Sequence, residues 1–332
     1  MTLKNQILFT GVGSYLPKNK ISNNDLAKFI NTSHEWIIKR TGIEFRHFVD
    51  DNEFTSDMGT TAAKSAIFDA GLKPKDIDII IVATTTPDNT FPSTASKIQK
   101  NLRCNAISFD VQAVCAGFIY AITIGISMLK DGHGKKCLVV GADSMSKLLD
   151  WNDRSTAVLF GDGAGAVILE QENVSTKLNI NENWGILSSK IFTDGQFYDF
   201  LNTDGGVSKN KSVGFLRMNG KEIFKHAVEK LSSSLLMCLE ECNMNTSEID
   251  WLIPHQANQR ILNAVSKKVK INQNKVISTV SIHGNTSAAS IPLALDVAIK
   301  SGKVQNGNIL ALQAIGGGLS WGSLILKLGK PI

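Results

Sequence analysis

The sequence predicts an α/β protein made of two similar halves packed together. Strand and helix patterns alternate along the chain, and the second half repeats the order of the first. The strand patterns are apolar at every position, as in residues 79–83 and 138–140, which is typical of a sheet covered by helices on both faces. A chain of 332 residues is long enough to bury two such cores.

The repeat predicts the same elements, in the same order, in both halves. Residues 76–84 resemble residues 248–256, so that Ile77 is matched by Ile249 at an offset of 172. The matched pairs are the amphipathic helices 57–70 and 220–242, the strands 76–84 and 248–256, the strands 107–111 and 277–281, the helices that end at Lys130 and Lys300, the strands 136–141 and 308–313, and the Gly-rich turns with their strands, 161–169 and 316–328.

We therefore expect an N-terminal half at residues 1–172 and a C-terminal half at residues 173–332, with the boundary inside residues 170–182. Residues 183–214 are polar and rich in glycine. We interpret this segment as a loop-rich insertion that precedes the first long helix of the second half.

The composition is that of an ordinary globular protein, with 43% hydrophobic and 20% charged residues and a formal net charge of +5. The positive charge is not gathered into the dense Lys and Arg runs of a nucleic-acid-binding protein. Residues 1–17 lack the pattern of a signal peptide, and no apolar run is long enough to cross a bilayer. We therefore expect a cytoplasmic protein that binds no nucleic acid and does not insert into a membrane. The cysteines have no disulfide or metal spacing, which predicts a reducing compartment and no metal site.

Cys115 is the first candidate for chemistry. A β-favouring run leads into it, the small residues Ala116 and Gly117 follow, and a long apolar helical pattern extends over residues 118–129. A thiol at the joint between a strand and a helix N-terminus is placed where partial positive charge favours the thiolate, so we expect a lowered pKa and a nucleophile. The alternative is a buried cysteine that acts only as a small hydrophobe.

His255 and Asn285 are the other two candidates. His255 follows a buried strand pattern and Pro254, at a strand end where α/β folds place their chemistry. An offset of 170 makes Asn285 the repeat equivalent of Cys115, so that matching helix ends of the two halves would face a shared site. Each residue also has a structural explanation, because the histidine can be satisfied by the backbone and the asparagine can cap a helix.

The combination of these three residue types points to acyl transfer. A thiolate can take an acyl group from a thioester, and a neutral imidazole and a carboxamide both donate hydrogen bonds that can hold an enolate oxygen. A Cys-His-Asn hydrolase remains formally open, but the sequence pattern that surrounds the cysteine of such enzymes is absent.

Three segments that contain these residues resemble the signature motifs of the β-ketoacyl-acyl-carrier-protein synthase III family, in the thiolase superfamily. They are residues 113–118, residues 254–258 and residues 283–290, and the resemblance extends over nearly the whole chain, from residues 11–17 to residues 316–322. The resemblance implies a five-layered αβαβα fold built from two duplicated halves, and a homodimer. It also implies the first condensation of type II fatty-acid synthesis, without a cofactor beyond the CoA thioester substrates.

In the implied reaction an acyl-CoA primer, such as acetyl-CoA, acylates Cys115. Malonyl-acyl-carrier-protein then loses CO₂, and its enolate attacks the acyl group to give a 3-oxoacyl-acyl-carrier-protein. His255 and Asn285 match the pair that assists decarboxylation, and the backbone N–H groups of Cys115 and Gly317 match the oxyanion hole.

The resemblance also assigns the binding residues. Trp36, Arg40, Arg154 and Gly220 match CoA-binding positions, and Trp36 with an arginine can sandwich an adenine, although this stretch alone would pass for an ordinary helix face. Phe160 matches the primer pocket, and Phe91 matches the residue that closes the acyl pocket of the partner subunit. Four basic residues match docking positions for the acidic carrier protein, namely Lys225, Arg260, Lys267 and Lys268, of which the last two also fit a solvated helix face.

Other activities of the thiolase superfamily are alternatives to this function, and the sequence fits them to different degrees. A biosynthetic thiolase needs a second cysteine near the C-terminal glycine turn, whereas the last cysteine here is Cys242. Elongating synthases carry a histidine where this chain has Asn285. Synthases of polyketides and alkylquinolones share the same three residue types, and a silent acyl-binding protein is the alternative outside the enzymes.

Overall fold

The structure is a computed structural model that describes residues 4–174 and 184–329. Its strands are β1 Lys4–Tyr15, β2 Asn19–Ser22, β3 Phe45–Phe48, β4 Ile79–Ala83, β5 Ile107–Val111, β6 Lys136–Asp143, β7 Gly163–Val174, β8 Gly185–Thr193, β9 Leu201–Thr203, β10 Leu216–Met218, β11 Trp251–Pro254, β12 Ile309–Gly316 and β13 Ser320–Lys327. Its α-helices are α1 Asn23–Leu26, α2 His34–Thr41, α3 Thr55–Asp69, α4 Thr94–Leu102, α5 Gly117–Lys130, α6 Arg154–Ala157, α7 Val207–Asn210, α8 Gly220–Glu241, α9 Gln259–Lys268, α10 Val280–His283 and α11 Ser290–Lys300.

Two sheets carry the fold, one in each half of the sequence. The first has the strand order β1-β7-β6-β4-β5, in which β4 is parallel to β5 and β6 while β7 is antiparallel to β1 and β6. The second has the order β11-β12-β13-β8, in which β11 and β12 are parallel and β13 is antiparallel to β12 and β8. Two further pairs, β2-β3 and β9-β10, lie outside these sheets.

The helices and sheets alternate in five layers. Helices α3 and α4 pack on one face of the first sheet. Helices α5 and α11 lie between the two sheets and contribute to the largest core. Helices α8 and α9 cover the outer face of the second sheet. This is the five-layered αβαβα arrangement of a thiolase-like fold, as the sequence predicts.

Alternation along β4 shows why the central strands are apolar throughout. Ile79, Ile81 and Ala83 face the central helices, whereas Ile80 and Val82 face α3 and α4. Every residue of the strand is buried, because successive side chains point to opposite faces and both faces are covered by helices.

The prediction of a strand at residues 277–281 is wrong. Val276 makes a single parallel bridge to Leu252, and the chain then turns into α10. Pro254 on the neighbouring β11 has no N–H to continue the ladder. The buried side chain of Gln256 takes over the pairing, because its amide donates to the Ile277 carbonyl and accepts from the Thr279 N–H.

The interpretation of residues 183–214 as a loop-rich insertion is also wrong in part. Its beginning forms β8, an integral strand of the second sheet that pairs with β13 along its length. The rest contains only short elements, including β9 and α7. Residues 175–183, which contain most of the expected boundary between the halves, lie outside the described residues.

The two halves align differently around Cys115 and Asn285 from the alignment that the sequence suggests. A 3₁₀ turn at Val114–Ala116 precedes α5, and a 3₁₀ turn at Ser287–Ala289 precedes α11. Both turns begin with a residue in the left-handed region, Val114 at φ 48° and Ser287 at φ 50°. The structural equivalent of Cys115 is therefore Ala288, three residues beyond the expected Asn285.

No helix in the described parts of the chain is long and apolar enough to cross a membrane.

We expect Gln256→Ala to lower the free energy of unfolding by about 2–4 kcal/mol. The substitution removes the side-chain partner of three buried backbone groups, namely the Pro254 carbonyl, the Ile277 carbonyl and the Thr279 N–H. Urea denaturation measures this loss. Gln305→Ala is the matched control, because Gln305 is exposed and bonds only locally to the Gly302 carbonyl. Equal stability of the two variants would contradict the structural role of Gln256.

Candidate active site

Cys115 lies in the 3₁₀ turn between β5 and α5, where the sequence places it, and its side chain is only 4% exposed. Burial raises the pKa of the Cys115 thiol to about 12. The expectation of a lowered thiol pKa is therefore wrong. The cost of burying a thiolate exceeds the stabilisation that the turn supplies, and the carboxylate of Asp143 raises the pKa further.

His255 follows β11 directly and is fully enclosed. Its backbone N–H donates to the Gln313 carbonyl at 2.7 Å, and its Nδ1 lies 2.7 Å from the Ser290 hydroxyl oxygen. That oxygen also accepts the Gln256 N–H at 3.3 Å, and we assign the hydroxyl proton to the hydrogen bond with His255 Nδ1. The imidazole proton is then on Nε2. Burial lowers the pKa of His255 to about 3, so the ring is a neutral hydrogen-bond donor near pH 7.

Asn285 is held from both sides of its backbone. Its N–H donates to the Leu159 carbonyl at 2.9 Å, and its carbonyl accepts the Gly161 N–H at 3.0 Å. Its side-chain Oδ1 accepts the Ser287 N–H at 3.0 Å, which sets the amide orientation. The Nδ2 group therefore points away from the turn as a donor.

One segment, residues 285–290, connects the three candidate residues. It contains Asn285, its Ser290 hydroxyl orients His255, and its Ser287 hydroxyl lowers the pKa of the Cys115 thiol. The histidine comes from the end of β11 and the cysteine from the other half of the sequence. The structure thus brings all three to one buried place, beside the N-termini of α5 and α11.

The glycine turn after β12 closes over the nucleophile. A Cβ atom on Gly316 would lie 2.7 Å from the Cys115 backbone nitrogen, and one on Gly317 would lie 2.7 Å from the Leu201 carbonyl oxygen. Only glycine permits these approaches. Gly316 therefore packs directly on the Cys115 backbone, and Gly317 packs against Leu201 and Val114.

The residues predicted to bind CoA lie on the surface. Trp36 is half-buried on α2, and the guanidinium carbons of Arg154 and Arg40 lie 4.7 and 5.5 Å from its ring centroid. Arg154 also donates to the Asn31 carbonyl. Gly220 is exposed at the first turn of α8. The indole thus lies beside two guanidinium groups.

The two phenylalanines have opposite environments. Phe160 is buried beside Asn285, to which it is bridged, and packs in an apolar cluster with Met145, Leu148, Leu149 and Leu216. Phe91 is 83% exposed in the loop between β4 and α4. Phe91 is therefore not part of the buried cluster around Phe160.

The four basic residues predicted to dock a carrier protein all lie on α8 and α9, and all are exposed. The two helices pack against each other through a shared apolar cluster. Arg260 also lies over the ring of Phe224, at 5.5 Å. Lys225 and Arg260 are thus on adjoining helices, whereas Lys267 and Lys268 end α9.

Three further residues of the site were not identified from the sequence. Ser287 and Ser290 stand within the motif that contains Asn285, but nothing in their spacing distinguishes them from helix-capping residues. Asp143 directly follows an apolar strand pattern, and an acidic residue at the end of a buried parallel strand is the signal that could have found it.

Within residues 4–174 and 184–329, no group of three or more His, Cys, Asp or Glu side chains could hold a metal ion.

Two matched halves whose central turns meet around a thiol are the architecture of the thiolase-like condensing enzymes. Comparison with known proteins narrows this class. Residues 109–195 match the family model of 3-oxoacyl-[acyl-carrier-protein] synthase III, and residues 239–328 match the model of its C-terminal part.

Individual relatives agree over nearly full length. The β-ketoacyl-[acyl-carrier-protein] synthase III of Wolbachia pipientis is 51% identical and covers 97% of this chain and 99% of its own. The solved 3-oxoacyl-[acyl-carrier-protein] synthase III of Aquifex aeolicus is 42% identical, with a TM-score of 0.90 over 97% of this chain and 99% of its own. The solved priming β-ketosynthase of the R1128 polyketide pathway is 31% identical, with a TM-score of 0.90 over 100% of this chain and 99% of its own. The chain belongs to the β-ketoacyl-acyl-carrier-protein synthase III family of condensing acyltransferases.

The lowered pKa of His255 makes the stability of the protein depend on pH. Below about pH 6.5 the unfolded histidine binds a proton that the folded one does not take up until about pH 3. We expect this residue to reduce the free energy of unfolding by up to about 1.4 kcal/mol per pH unit across that window. In His255→Asn the free energy of unfolding should therefore fall less steeply on acidification, by up to this amount per pH unit.

Urea denaturation of both proteins between about pH 7 and about pH 4 measures the difference in slope. His133→Asn is the control, because His133 is exposed. Parallel curves for wild type and His255→Asn would show that the imidazole is not held neutral by the fold.

Proposed function

We propose that this protein starts fatty-acid synthesis by condensing an acyl-CoA primer with malonyl-acyl-carrier-protein. The observation that carries the proposal is the segment 285–290, which joins the environments of Cys115, His255 and Asn285 in one buried site. Membership of the family supports the same activity. The chain acts here as an acyltransferase that uses CoA thioesters as substrates and needs no other cofactor.

In the first half-reaction, the Cys115 sulfur attacks the primer thioester and CoA leaves. The backbone N–H groups of Cys115 and Gly317 hold the oxygen of the tetrahedral intermediate, where the glycine turn approaches the nucleophile closely. The buried location excludes water, which protects the acyl-enzyme from hydrolysis.

In the second half-reaction, the malonyl group loses CO₂ and the resulting enolate attacks the acyl-cysteine. His255 Nε2–H and Asn285 Nδ2–H donate to the thioester oxygen on which negative charge develops. Both donors are neutral, and both are held by hydrogen bonds on their far side, His255 by Ser290 and Asn285 by Ser287. Fixed neutral donors suit this step, because they stabilise the enolate without transferring a proton to it.

The binding assignments follow from the same family. Trp36, Arg40 and Arg154 would hold the adenine by stacking and cation–π contact, for which the indole already lies beside both guanidinium groups. Gly220 at the start of α8 leaves the chain open to the rest of CoA. Phe160 and its apolar neighbours would form the primer pocket next to Asn285.

A homodimer would complete this pocket. Strand β5 lies at the edge of its sheet, and its first residue Ile107 is 47% exposed. An exposed apolar edge strand is suited to pairing with a second copy. Such pairing would give the exposed Phe91 a partner pocket to close. The carrier protein, which is acidic, would dock on the basic residues of α8 and α9.

Intact-mass spectrometry after incubation with acetyl-CoA tests the first half-reaction. We expect a single acetyl adduct on the wild type and none on Cys115→Ala, with Cys242→Ala as the control that retains the adduct. Short linear and branched acyl-CoAs should be tried in parallel. Absence of an adduct with all of them would favour an acyl-binding protein without activity.

The same acyl-enzyme, offered malonyl-acyl-carrier-protein or malonyl-CoA, separates fatty-acid priming from the polyketide and alkylquinolone alternative. We expect condensation with the carrier-protein substrate and little with malonyl-CoA. Preference for malonyl-CoA would assign the chain to secondary metabolism.

His255→Ala should slow decarboxylation of malonyl-acyl-carrier-protein by about 10²–10³-fold, because one of two donors to the enolate is lost. Acylation of Cys115 by acetyl-CoA should be much less affected. Release of labelled CO₂ and intact-mass kinetics measure the two steps, with His133→Ala as the control. Equal losses in both steps would contradict the assigned role.

A further inference from the structure

The glycine turn after β12 is contacted at two points by one neighbouring segment, residues 194–201. At the start of this segment, the Asp194 N–H donates to the Leu319 carbonyl at 2.8 Å. At its end, the Leu201 carbonyl lies against Gly317, where a Cβ atom would be 2.7 Å from the carbonyl oxygen. The position of Gly317, whose N–H is assigned to the oxyanion hole, therefore depends on where segment 194–201 lies.

Segment 194–201 is in turn attached to helix α8. The centroids of the Phe197 and Phe200 rings lie 4.2 and 5.8 Å from the centroid of the His226 ring. The Phe200 carbonyl also accepts the N–H of Asn219, the N-cap residue of α8, at 2.8 Å. Most of the segment is a 3₁₀ helix, Gly195–Phe200, rather than a strand of either sheet. Its contacts with α8 therefore help to set its place beside the glycine turn.

Lys230 of α8 joins three groups around the glycine turn. Its Nζ atom lies 3.9 Å from the centroid of the Trp321 ring, 4.9 Å from the centroid of the Phe197 ring and 3.5 Å from Asp194 Oδ2. Trp321 belongs to β13, the strand that leaves the turn, whereas the other two residues belong to segment 194–201. One ammonium group thus connects the strand after the turn with the segment that lies against the turn.

The environment of Lys230 makes its charge matter. An ammonium group over an aromatic ring is attracted by the electrons of the ring face, and the attraction is stronger where water is excluded. The Lys230 side chain is only 16% exposed, and the carboxylate of Asp194 adds an ion pair. Trp321 is itself fixed by stacking on Phe192 of β8, with the ring centroids 5.6 Å apart. A neutral side chain of similar length would keep the packing and lose these attractions.

We propose that Lys230 is a positioning residue for the oxyanion hole, an inference that rests on the function proposed above. Its ammonium group ties segment 194–201 to β13, which keeps the Gly317 N–H at the oxygen of the tetrahedral intermediate. Lys230 acts through the turn and not on the substrate. A donor of the oxyanion hole works only within hydrogen-bond distance of the developing charge, so a small shift of the turn slows the reaction.

Acylation and alkylation of Cys115 together test this proposal, because only acylation forms an oxyanion. Acylation by acetyl-CoA is followed in a single turnover by quenching and intact-mass spectrometry. Alkylation by iodoacetamide is followed by peptide mapping at Cys115. We expect Lys230→Met, which removes the charge, to acylate about tenfold more slowly than wild type at saturating acetyl-CoA. The half-saturating acetyl-CoA concentration and the alkylation rate should keep their wild-type values.

Three further variants separate the charge of Lys230 from its packing. Lys230→Arg retains a cation that stacks on aromatic rings, so it should restore most of the acylation rate. Asp194→Asn should slow acylation by a smaller factor, because the two aromatic contacts of Lys230 remain and its amide oxygen can still accept the Gln196 N–H. Lys64→Met is the matched control, because Lys64 is exposed on α3, beyond the first sheet. It should acylate like the wild type.

The other outcomes overturn the proposal. Wild-type acylation by Lys230→Met would show that the charge does not position the turn, and equal slowing of acylation and alkylation would mean that the thiol itself is altered. A Lys230→Arg variant as slow as Lys230→Met would show that side-chain shape matters and charge does not. A raised half-saturating concentration of malonyl-acyl-carrier-protein with wild-type acylation would make Lys230 a docking residue.

Two further results have fixed meanings. If Lys230→Met does not fold, as judged by circular dichroism, the acylation rate of Asp194→Asn decides, and a wild-type rate there overturns the proposal. Failure of the wild type to acylate at all would instead refute the function proposed above.

Discussion

The structure depends on a crossed contact in which the turn of each half is packed on a strand of the other. Gly316 at the end of β12 lies against the turn that contains Cys115, and a Cβ there would meet the Cys115 nitrogen at 2.7 Å. Gly141 on β6 lies against the turn Ser287–Ala289, and a Cβ there would overlap the Ala288 carbonyl oxygen. Neither strand tolerates a side chain at this point. The two halves can therefore approach closely enough to form one buried site.

Burial at this contact sets the protonation states of the site. It holds the Cys115 thiol and the His255 imidazole in their neutral forms, because charging either group in an apolar interior is costly. Neutrality suits His255 as a hydrogen-bond donor, but it works against Cys115 as a nucleophile. The helix N-terminus beside the thiol does not reverse this.

The same buried turn also supports the functional groups mechanically. Ser287 fixes the amide of Asn285, Ser290 fixes the ring of His255, and Ala288 ties the turn to Asp143 in the other half. Residues 285–290 thus orient both donors through two of these hydrogen bonds, and the third, from the Ala288 N–H to Asp143, connects the two halves. A change in this segment would move several groups together, so single substitutions here report on more than one function.

The sequence by itself determined the alternation of strands and helices and the two duplicated halves, and it predicted the three candidate residues, because periodic apolar patterns and short motifs are local properties of the chain. It did not determine that residues 277–281 form no strand of the second sheet, since that depends on Pro254 at the end of β11 and on Gln256 just after it. It paired Cys115 with Asn285, whereas backbone geometry pairs Cys115 with Ala288. It also predicted a lowered thiol pKa. Only the tertiary structure decided that pKa, because burial is set by everything packed around the sulfur and not by the helix that follows it.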